Sequence, residues 1–286
     1  MNNDLKVSVV ITAYNVSEFI EKCLKSVFNQ TYKNIEVVTV EDCSTDSTLD
    51  ILNNYKDKIK LVKNEKNVGA GLSRRYGIQN STGDYVLLLD ADDWLNEDFI
   101  EQLVKKQNET DADIVSGGIS YYYQNDDRYD IKTYGSHVSE EMKKFTDYND
   151  GKIVFLNNKI VRKSLYDKVE YCDRRYVEDT PVIMKLLYYA NKVAYVNNAG
   201  YNYLQRDSSL CHTASKWKHM LFSALCCAEL IEWFKDKPEP YNKLFPVSQF
   251  VMYLKNMQRE KVTIEEMSTY IVEYNSCFTY LLNLIK

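Results

Sequence analysis

The strongest constraint on the fold of this chain is an alternation within its first hundred residues, where short apolar runs take turns with segments of helical spacing. Val7 to Ile11 reads as a buried strand, and Ser17 as the cap of a helix that turns Phe19, Ile20, Cys23, Leu24 and Val27 to one side. Ile35 to Val40 is a second strand, followed by a helix that starts at Asp46 or Ser47. Lys60 to Val62 is a third strand, and Gly69 to Ile78 fits a helix. Tyr85 to Leu89 is a fourth strand, after which Asn96 is placed to cap a helix with Phe99, Ile100, Leu103 and Val104 inward. Strands separated by helices imply βαβ units and a mainly parallel α/β sheet flanked by helices. Such sheets bind ligands beyond the carboxyl ends of their strands. Three of these strands run into polar clusters there: Thr12/Tyr14/Asn15, Glu41/Asp42 and Asp90/Asp92/Asp93. The pattern predicts one shared site.

After residue 110 the texture changes. Ile114 to Ile119 and Tyr121 to Tyr123 look like a strand, with a return from Tyr129 to Tyr134 as a hairpin. A helix is expected over about 179–190 and a short strand over Val193 to Val196. From Trp217 the chain reads as helical, broken by Pro238 and Pro240. With 286 residues, one large or two modest domains are expected. The expected division is a catalytic domain over 1–213, made of halves 1–110 and 111–213, and a C-terminal helical region over 214–286.

A net charge of −5 argues against a nucleic-acid binder that relies on a basic surface. No apolar run of about 18 residues exists, so no transmembrane segment is expected. The N-terminus lacks the basic and apolar stretches of a signal peptide. The seven cysteines are scattered, with no CxxC pair, which points to free thiols in a reducing cytoplasm. Tyr is frequent, at 24 residues, and a phenol both stacks on a sugar or base and donates a hydrogen bond.

Asp90-Ala91-Asp92 at a strand end puts two carboxylates on one side of the chain. They repel unless a cation lies between them, and Mg²⁺ or Mn²⁺ favours such oxygens together with phosphate oxygens. A solvated acidic turn is the plainer alternative. Glu178-Asp179 precedes Thr180-Pro181 and an apolar helix, so it serves either catalysis or the helix dipole. Arg206-Asp207-Ser208-Ser209 is equally compatible with an ordinary turn, and His212 with a structural role.

Taken in order, the segments Val9 to Asn15, Val40 to Asp46, Asn67-Val68-Gly69 with Arg74, and Gly83 to Asp93 resemble glycosyltransferase family 2. The similarity continues through Asn158 to Arg162, Tyr176 to Asp179, and Tyr201-Asn202-Tyr203 with Arg206 and Ser209. The resemblance implies a GT-A fold and an inverting, metal-dependent transfer from a nucleotide-sugar, with UDP favoured, to a hydroxyl of a glycan or lipid-linked acceptor. Bacterial enzymes that build surface polysaccharide are the most similar type. By position, Thr12, Tyr14 and Asp42 would hold the base and ribose, with Asn67 and Arg74 as further nucleotide contacts. Asp90 would face the ribose or sugar and share the Mn²⁺ or Mg²⁺ with Asp92. Asp93 would lie near the sugar or acceptor. Asp179 looks like the catalytic base, with Glu178 beside it, and Arg206, Ser209 and His212 would fall on a segment that closes over the diphosphate. Cys43 stands where the family usually has Gly, Glu41 where Asp is common, and Leu204 where many relatives carry a basic residue.

Two rivals differ in class. A sugar-nucleotide-forming nucleotidyltransferase is expected to carry a Gly-rich basic loop after its first strand, and this chain has none there. A nucleotide-sugar-binding relative without activity is disfavoured by the presence of both Asp92 and Asp179. In the tail, Trp217, Leu221, Leu225, Ala228 and Ile231 form one apolar stripe, and Ile264, Met267, Ile271, Tyr274, Phe278, Leu281 and Ile285 another. Glu265, Glu266 and Glu273 do not suit an anionic membrane surface, so packing within the protein and a homodimer contact are expected. Localisation is expected to be cytoplasmic, or peripheral at the inner face of the membrane.

Overall fold

The computed structural model describes residues 5–170, 179–206 and 216–244, with the backbone alone for 216–220. The chain divides into two compact units, residues 1–175 with 182–206, and residues 176–181 with 207–286. The expected division at 213/214 and the stripe over 264–285 lie outside the described residues.

The first unit opens as anticipated, with β1 (Val7–Ala13), α1 (Ile20–Phe28), β2 (Ile35–Glu41), α2 (Thr48–Asn53), β3 (Lys60–Lys63), α3 (Ala70–Gln79) and β4 (Tyr85–Asp90). Strand β1 is buried along nearly its whole length, as a central parallel strand covered on both faces must be. Helix α1 buries Ile20, Cys23, Leu24 and Val27, the stripe its spacing dictates. It begins later than Ser17: the Ser17 backbone N–H instead donates to Asp46 Oδ2 (3.1 Å). Asp46 Oδ1 takes the Thr48 N–H at the start of α2 (2.9 Å). Burial works against ionisation of Asp46, but these bonds outweigh it and hold the carboxyl at about 2.

Beyond β4 lie β5 (Trp94–Leu95), α4 (Phe99–Thr110), β6 (Ile114–Ser116), β7 (Ile119–Tyr123), β8 (Arg128–Lys132) and β9 (Val138–Glu140). They are followed by α5 (Lys143–Asn149), β10 (Lys159–Arg162), α6 (Lys163–Tyr166), α7 (Asp179–Tyr189), β11 (Lys192–Tyr195) and β12 (Tyr201–Gln205). An eight-stranded sheet runs β3-β2-β1-β4-β10-β6-β11-β9, and a four-stranded sheet runs β5-β12-β7-β8. The larger sheet is mixed: β1 pairs in parallel with β2 and β4, whereas β10 is antiparallel to both β4 and β6.

Two expectations are corrected here. Ile114 to Ile119 is not one strand but two, β6 and β7, in different sheets. The chain leaves the larger sheet at Gly117-Gly118 and again at 197–200, so β6 pairs in parallel with β11 and β7 in parallel with β12. Both crossings press on Phe99 of α4, which is fully buried: a Cβ at Gly117 or Gly200 would collide with its ring. Asn96 is not the helix cap. Its side-chain oxygen accepts from the Asn202 amide (2.9 Å), and α4 starts only at Phe99, after Asp98.

In the second unit, α8 (Lys216–Phe234) buries Leu221, Leu225, Ala228 and Ile231 as the stripe implies, but Phe222, Cys226 and Leu230 as well, so its burial is wider than one face. Among the described residues Cys23, Cys43, Cys226 and Cys227 are free thiols, and no helix is long and apolar enough to cross a membrane.

We expect Gly200→Ala to cost about 1–3 kcal/mol through overpacking against Phe99. Phe99→Leu should recover part of that loss when combined with it, because the two sites are in contact. Urea unfolding of the two single variants and the double variant checks this; strictly additive costs would show that the collision is relieved elsewhere.

Candidate functional site

The site starts from register. Thr12 pairs with Val40 on one side and Asp90 on the other, so the carboxyl ends of β1, β2 and β4 lie side by side. Thr12 is partly exposed there and Tyr14, just past the strand, is 47% exposed.

Asp42 follows β2 and is buried. Its Oδ1 accepts from the Asn64 amide (2.8 Å) and the Val68 N–H (2.9 Å), and its Oδ2 from the Gly69 N–H (2.8 Å). The Asn67 amide donates to the Asp42 carbonyl (3.3 Å). Asp42 therefore folds the 64–69 loop around itself and presents the start of α3. Gly69, at φ 87°, supplies the backbone turn that a side chain would resist. Cys43 adopts φ 62° in the same left-handed region, a conformation that costs an ordinary residue about 1–2 kcal/mol.

Asp90 ends β4. Its Oδ1 accepts from Arg74 Nη2 (2.9 Å) and its Oδ2 from the Asn157 amide (2.8 Å). Arg74 reaches it from the middle of α3 and is itself almost wholly buried. Asp92 Oδ2 takes Arg206 Nη2 (2.7 Å), and the Arg206 guanidinium lies over the Phe19 ring, 4.7 Å from its centroid. Burial pushes the Asp92 carboxyl above its usual range, the charge of Asp90 adds to this, and Arg206 opposes both.

Asp93 is corrected. It was expected beside sugar or acceptor, yet it is 1% exposed and both its oxygens are occupied within the protein. Tyr201 Oη donates to Oδ2 (2.5 Å), and the Leu204 N–H donates to Oδ1 (2.9 Å). The carboxyl is raised well above the normal range by burial and by the charges of Asp92 and Asp90. Asp93 pins β12 beneath the site. Leu204 contributes a backbone donor and a buried side chain at the position where a basic residue was expected.

Thr12, Tyr14, Asp42, Asn67, Arg74, Asp90, Asp92 and Arg206 are thus gathered at one sheet edge. Asp179 opens α7 with Pro181 in its first turn, as the dipole reading requires. Glu178, Ser209 and His212 lie outside the described residues. Asn157 and Tyr201 were assigned no role from the sequence. Asn157 bridges Asp90 and Tyr201, donating to the Tyr201 oxygen at 2.9 Å. The only signal was Tyr201's place among the matching segments.

Among the described residues no group of three or more His, Cys, Asp or Glu side chains could hold a metal. Two carboxylates completed by phosphate oxygens and water are nevertheless a fitting set for a small hard cation. Asp92 is the better placed ligand: its Oδ1 has no side-chain partner among the described residues, whereas both oxygens of Asp90 are engaged.

Tyr201→Phe should cost about 1–3 kcal/mol, because it leaves the buried Asp93 Oδ2 and the Asn157 amide short of a partner without changing volume. Denaturant unfolding measures it, and wild-type stability would show that the hydroxyl network carries no weight.

Similarity to known proteins agrees with this architecture. Residues 8–170 match the model of glycosyl transferase family 2. The chain is 29% identical to glycosyltransferase GlyA of Streptococcus pneumoniae over 93% of its own length, although it spans only 40% of that protein. It is 26% identical to GlyG of the same organism, covering 81% of this chain and 79% of that one. A crystal structure of S. aureus TarS residues 1–349 in complex with UDP-GlcNAc superposes with a TM-score of 0.71 at 23% identity, covering 96% of this chain and 81% of that one. The α/β fold with its mainly parallel sheet is therefore the GT-A architecture seen in TarS. With more than half of its residues matched by the family model, this chain belongs to glycosyltransferase family 2.

Proposed function

We propose that the chain transfers a sugar from a UDP-sugar to a hydroxyl of a glycan or lipid-linked acceptor, with inversion, in the synthesis of a bacterial surface polymer. The observation that carries the reading is the pair Asp90 and Asp92 at the end of β4, held by Arg74 and Arg206 beside the strand ends of β1 and β2. The UDP-GlcNAc bound by TarS and the naming of relatives such as a poly(ribitol-phosphate) beta-glucosyltransferase support the donor and the polymer class.

In this reading Thr12, Tyr14 and Asn67 line the nucleotide, and Asp42 shapes the loop that carries Asn67. Asp92, with Asp90, holds Mn²⁺ or Mg²⁺, which supplies positive charge at the leaving diphosphate. Arg206, with Ser209 and His212, faces the same phosphates; a guanidinium suits their geometry. Asp179 takes the proton from the attacking acceptor hydroxyl, with Glu178 beside it, so one displacement inverts the anomeric carbon without a covalent intermediate. Residues 214–286 form the helical region and a homodimer contact. The protein acts in the cytoplasm or at the inner face of the membrane.

The test is turnover of UDP-sugars with and without Mn²⁺; no hydrolysis or transfer with any of them would overturn the proposal. Asp92→Asn should lower kcat/KM by about 100- to 1,000-fold and weaken Mn²⁺-dependent UDP binding, with the fold intact by circular dichroism. Full activity at limiting Mn²⁺ would remove Asp92 from the metal. Asp179→Asn should lower kcat by about 100- to 10,000-fold with UDP affinity unchanged in calorimetry. Wild-type turnover with the acceptor would reduce Asp179 to a helix-start acid.

A further inference from the structure

Alternation along β12 turns Tyr201 to the carboxylates on one face of the four-stranded sheet and Asn202 and Leu204 to the other. Register places Ser120 and Tyr122 of β7, Tyr129 and Ile131 of β8, and Asn202 and Leu204 of β12 on that common face. At one end, Tyr122 and Tyr129 pack ring to ring at 4.8 Å, and Tyr129 is 49% exposed. Tyr122 is held from its own face: Trp94, paired with Asn202, meets it edge-on at 5.4 Å, Lys22 lies over Trp94 and 5.6 Å from the Tyr122 centroid, and the Tyr122 hydroxyl donates to Asp127 (3.1 Å). At the other end, two residues further along the strands, lies an open depression of about 470 Å³. Its walls carry the amides of Asn96, Gln102, Asn197 and Asn198 and the hydroxyls of Ser120 and Thr133. Among the described residues the amides of Gln102 and Asn197 have no hydrogen-bond partner in the protein.

We propose that this face binds a neutral saccharide chain, away from the site of transfer. Three features select that occupant. The depression carries no Lys, Arg, Asp or Glu on its walls, which disfavours a phosphate or any other ion. Gln102 and Asn197 offer amide donors and acceptors there, the complement of a ring of hydroxyl groups, whereas Asn96, Ser120 and Asn198 already bond to Asn202, Ala199 and Asp98. Tyr129, half exposed and backed by Tyr122, offers an aromatic surface to the apolar C–H face of a pyranose. Platform and depression are about 7 Å apart along the strands, so a chain of sugars, and not one monosaccharide, engages both.

The surface adjoins the catalytic edge in the fold. Trp94 follows Asp93 directly, and Phe19, one turn before Lys22 on the α1 side, carries the Arg206 guanidinium that pairs with Asp92. A polymer held here is kept beside the enzyme between transfers. The inference rests on the glycosyltransferase reading for choosing a saccharide as occupant, and its test does not use turnover.

Saturation-transfer NMR on the full chain with cellohexaose, chitohexaose, maltohexaose and mannohexaose provides that test. At least one hexasaccharide should receive saturation, and its signal should fall at least about threefold in Tyr129→Ala and in Asn197→Ala. Tyr129→Phe, which keeps the ring, should retain it. Both positions are exposed, so the variants keep the fold. Absence of transfer to all four probes, or equal transfer in both alanine variants, overturns the proposal. UDP with Mn²⁺, titrated in the same samples, reads the donor site separately: its failure to bind tells against the UDP-sugar reading, and hexasaccharide binding tells for this face.

Discussion

Parallel pairing of β1 with β2 and β4 crowds negative charge at one sheet edge, and the site is organised by how that charge is answered. Glu41, Asp42, Asp90, Asp92 and Asp93 all fall within the last residues of those strands or just beyond them. Two unit charges 4 Å apart interact by about 4 kcal/mol at the effective dielectric near a protein surface. Repulsion of that size has to be offset locally. Three different elements do so: α3 sends Arg74 to Asp90, the end of β12 sends Arg206 to Asp92, and the 64–69 loop turns its N–H groups onto Asp42. Glu41 takes the Ser44 N–H in the same manner (2.5 Å). Each counter-group comes from a segment that must be folded for the charge to be tolerated, so the anionic edge and the surrounding loops form together.

The burial of Asp93 extends this logic below the surface. A carboxyl 1% exposed and flanked by two others would be costly without donors. Tyr201 and the Leu204 N–H supply them, and Tyr201 in turn accepts from Asn157, which also holds Asp90. One tyrosine hydroxyl thereby links β4, β12 and the segment before β10. The geometry of Asp90 depends on residues more than 60 positions away in sequence. Displacing β12 would unsettle Asp90 and Asp92 at once, the second through Arg206.

The half of the site that was legible in the sequence is the half that periodicity reports. A buried strand ending in a polar cluster is a local pattern, and β1, β2 and β4 were readable from Val7, Ile35 and Tyr85 onward for that reason. The roles of Arg74 and Arg206 needed the family resemblance, because nothing local distinguishes an arginine aimed at Asp90 from a solvated one. Asn157, Tyr201 and the inward turn of Asp93 needed the tertiary structure itself. Asp92 and Asp93 are adjacent and chemically identical, yet one keeps an oxygen without a side-chain partner among the described residues and the other is sealed beneath β12. Strand β5 decides this, since its antiparallel pairing with β12 sets which way the chain faces directly after Asp93, and a two-residue strand leaves no periodic trace. Short elements such as β9 and α5 were unreadable for the same reason.

The two glycine crossings at Phe99 show how one packing event serves two surfaces. Gly117 and Gly200 let the paired strands β6/β11 leave the larger sheet and continue as β7/β12 in the smaller one. The parallel register survives the crossing, so Tyr201 arrives opposite Ile119 and beneath Asp93, while Tyr203 lies opposite Tyr121. The inward side of β12 thus completes the carboxylate site, and alternation along the same strand sends Asn202 and Leu204 to the opposite face, beside Ser120 and Tyr122. A slip of one residue at either glycine would exchange those faces. It would set Asn202 where Asp93 needs a phenol and turn Tyr201 to the face that carries Tyr129. The small side chains at 117 and 200 are therefore a condition for the position of Tyr201, and through Tyr201 for the orientation of Asp90.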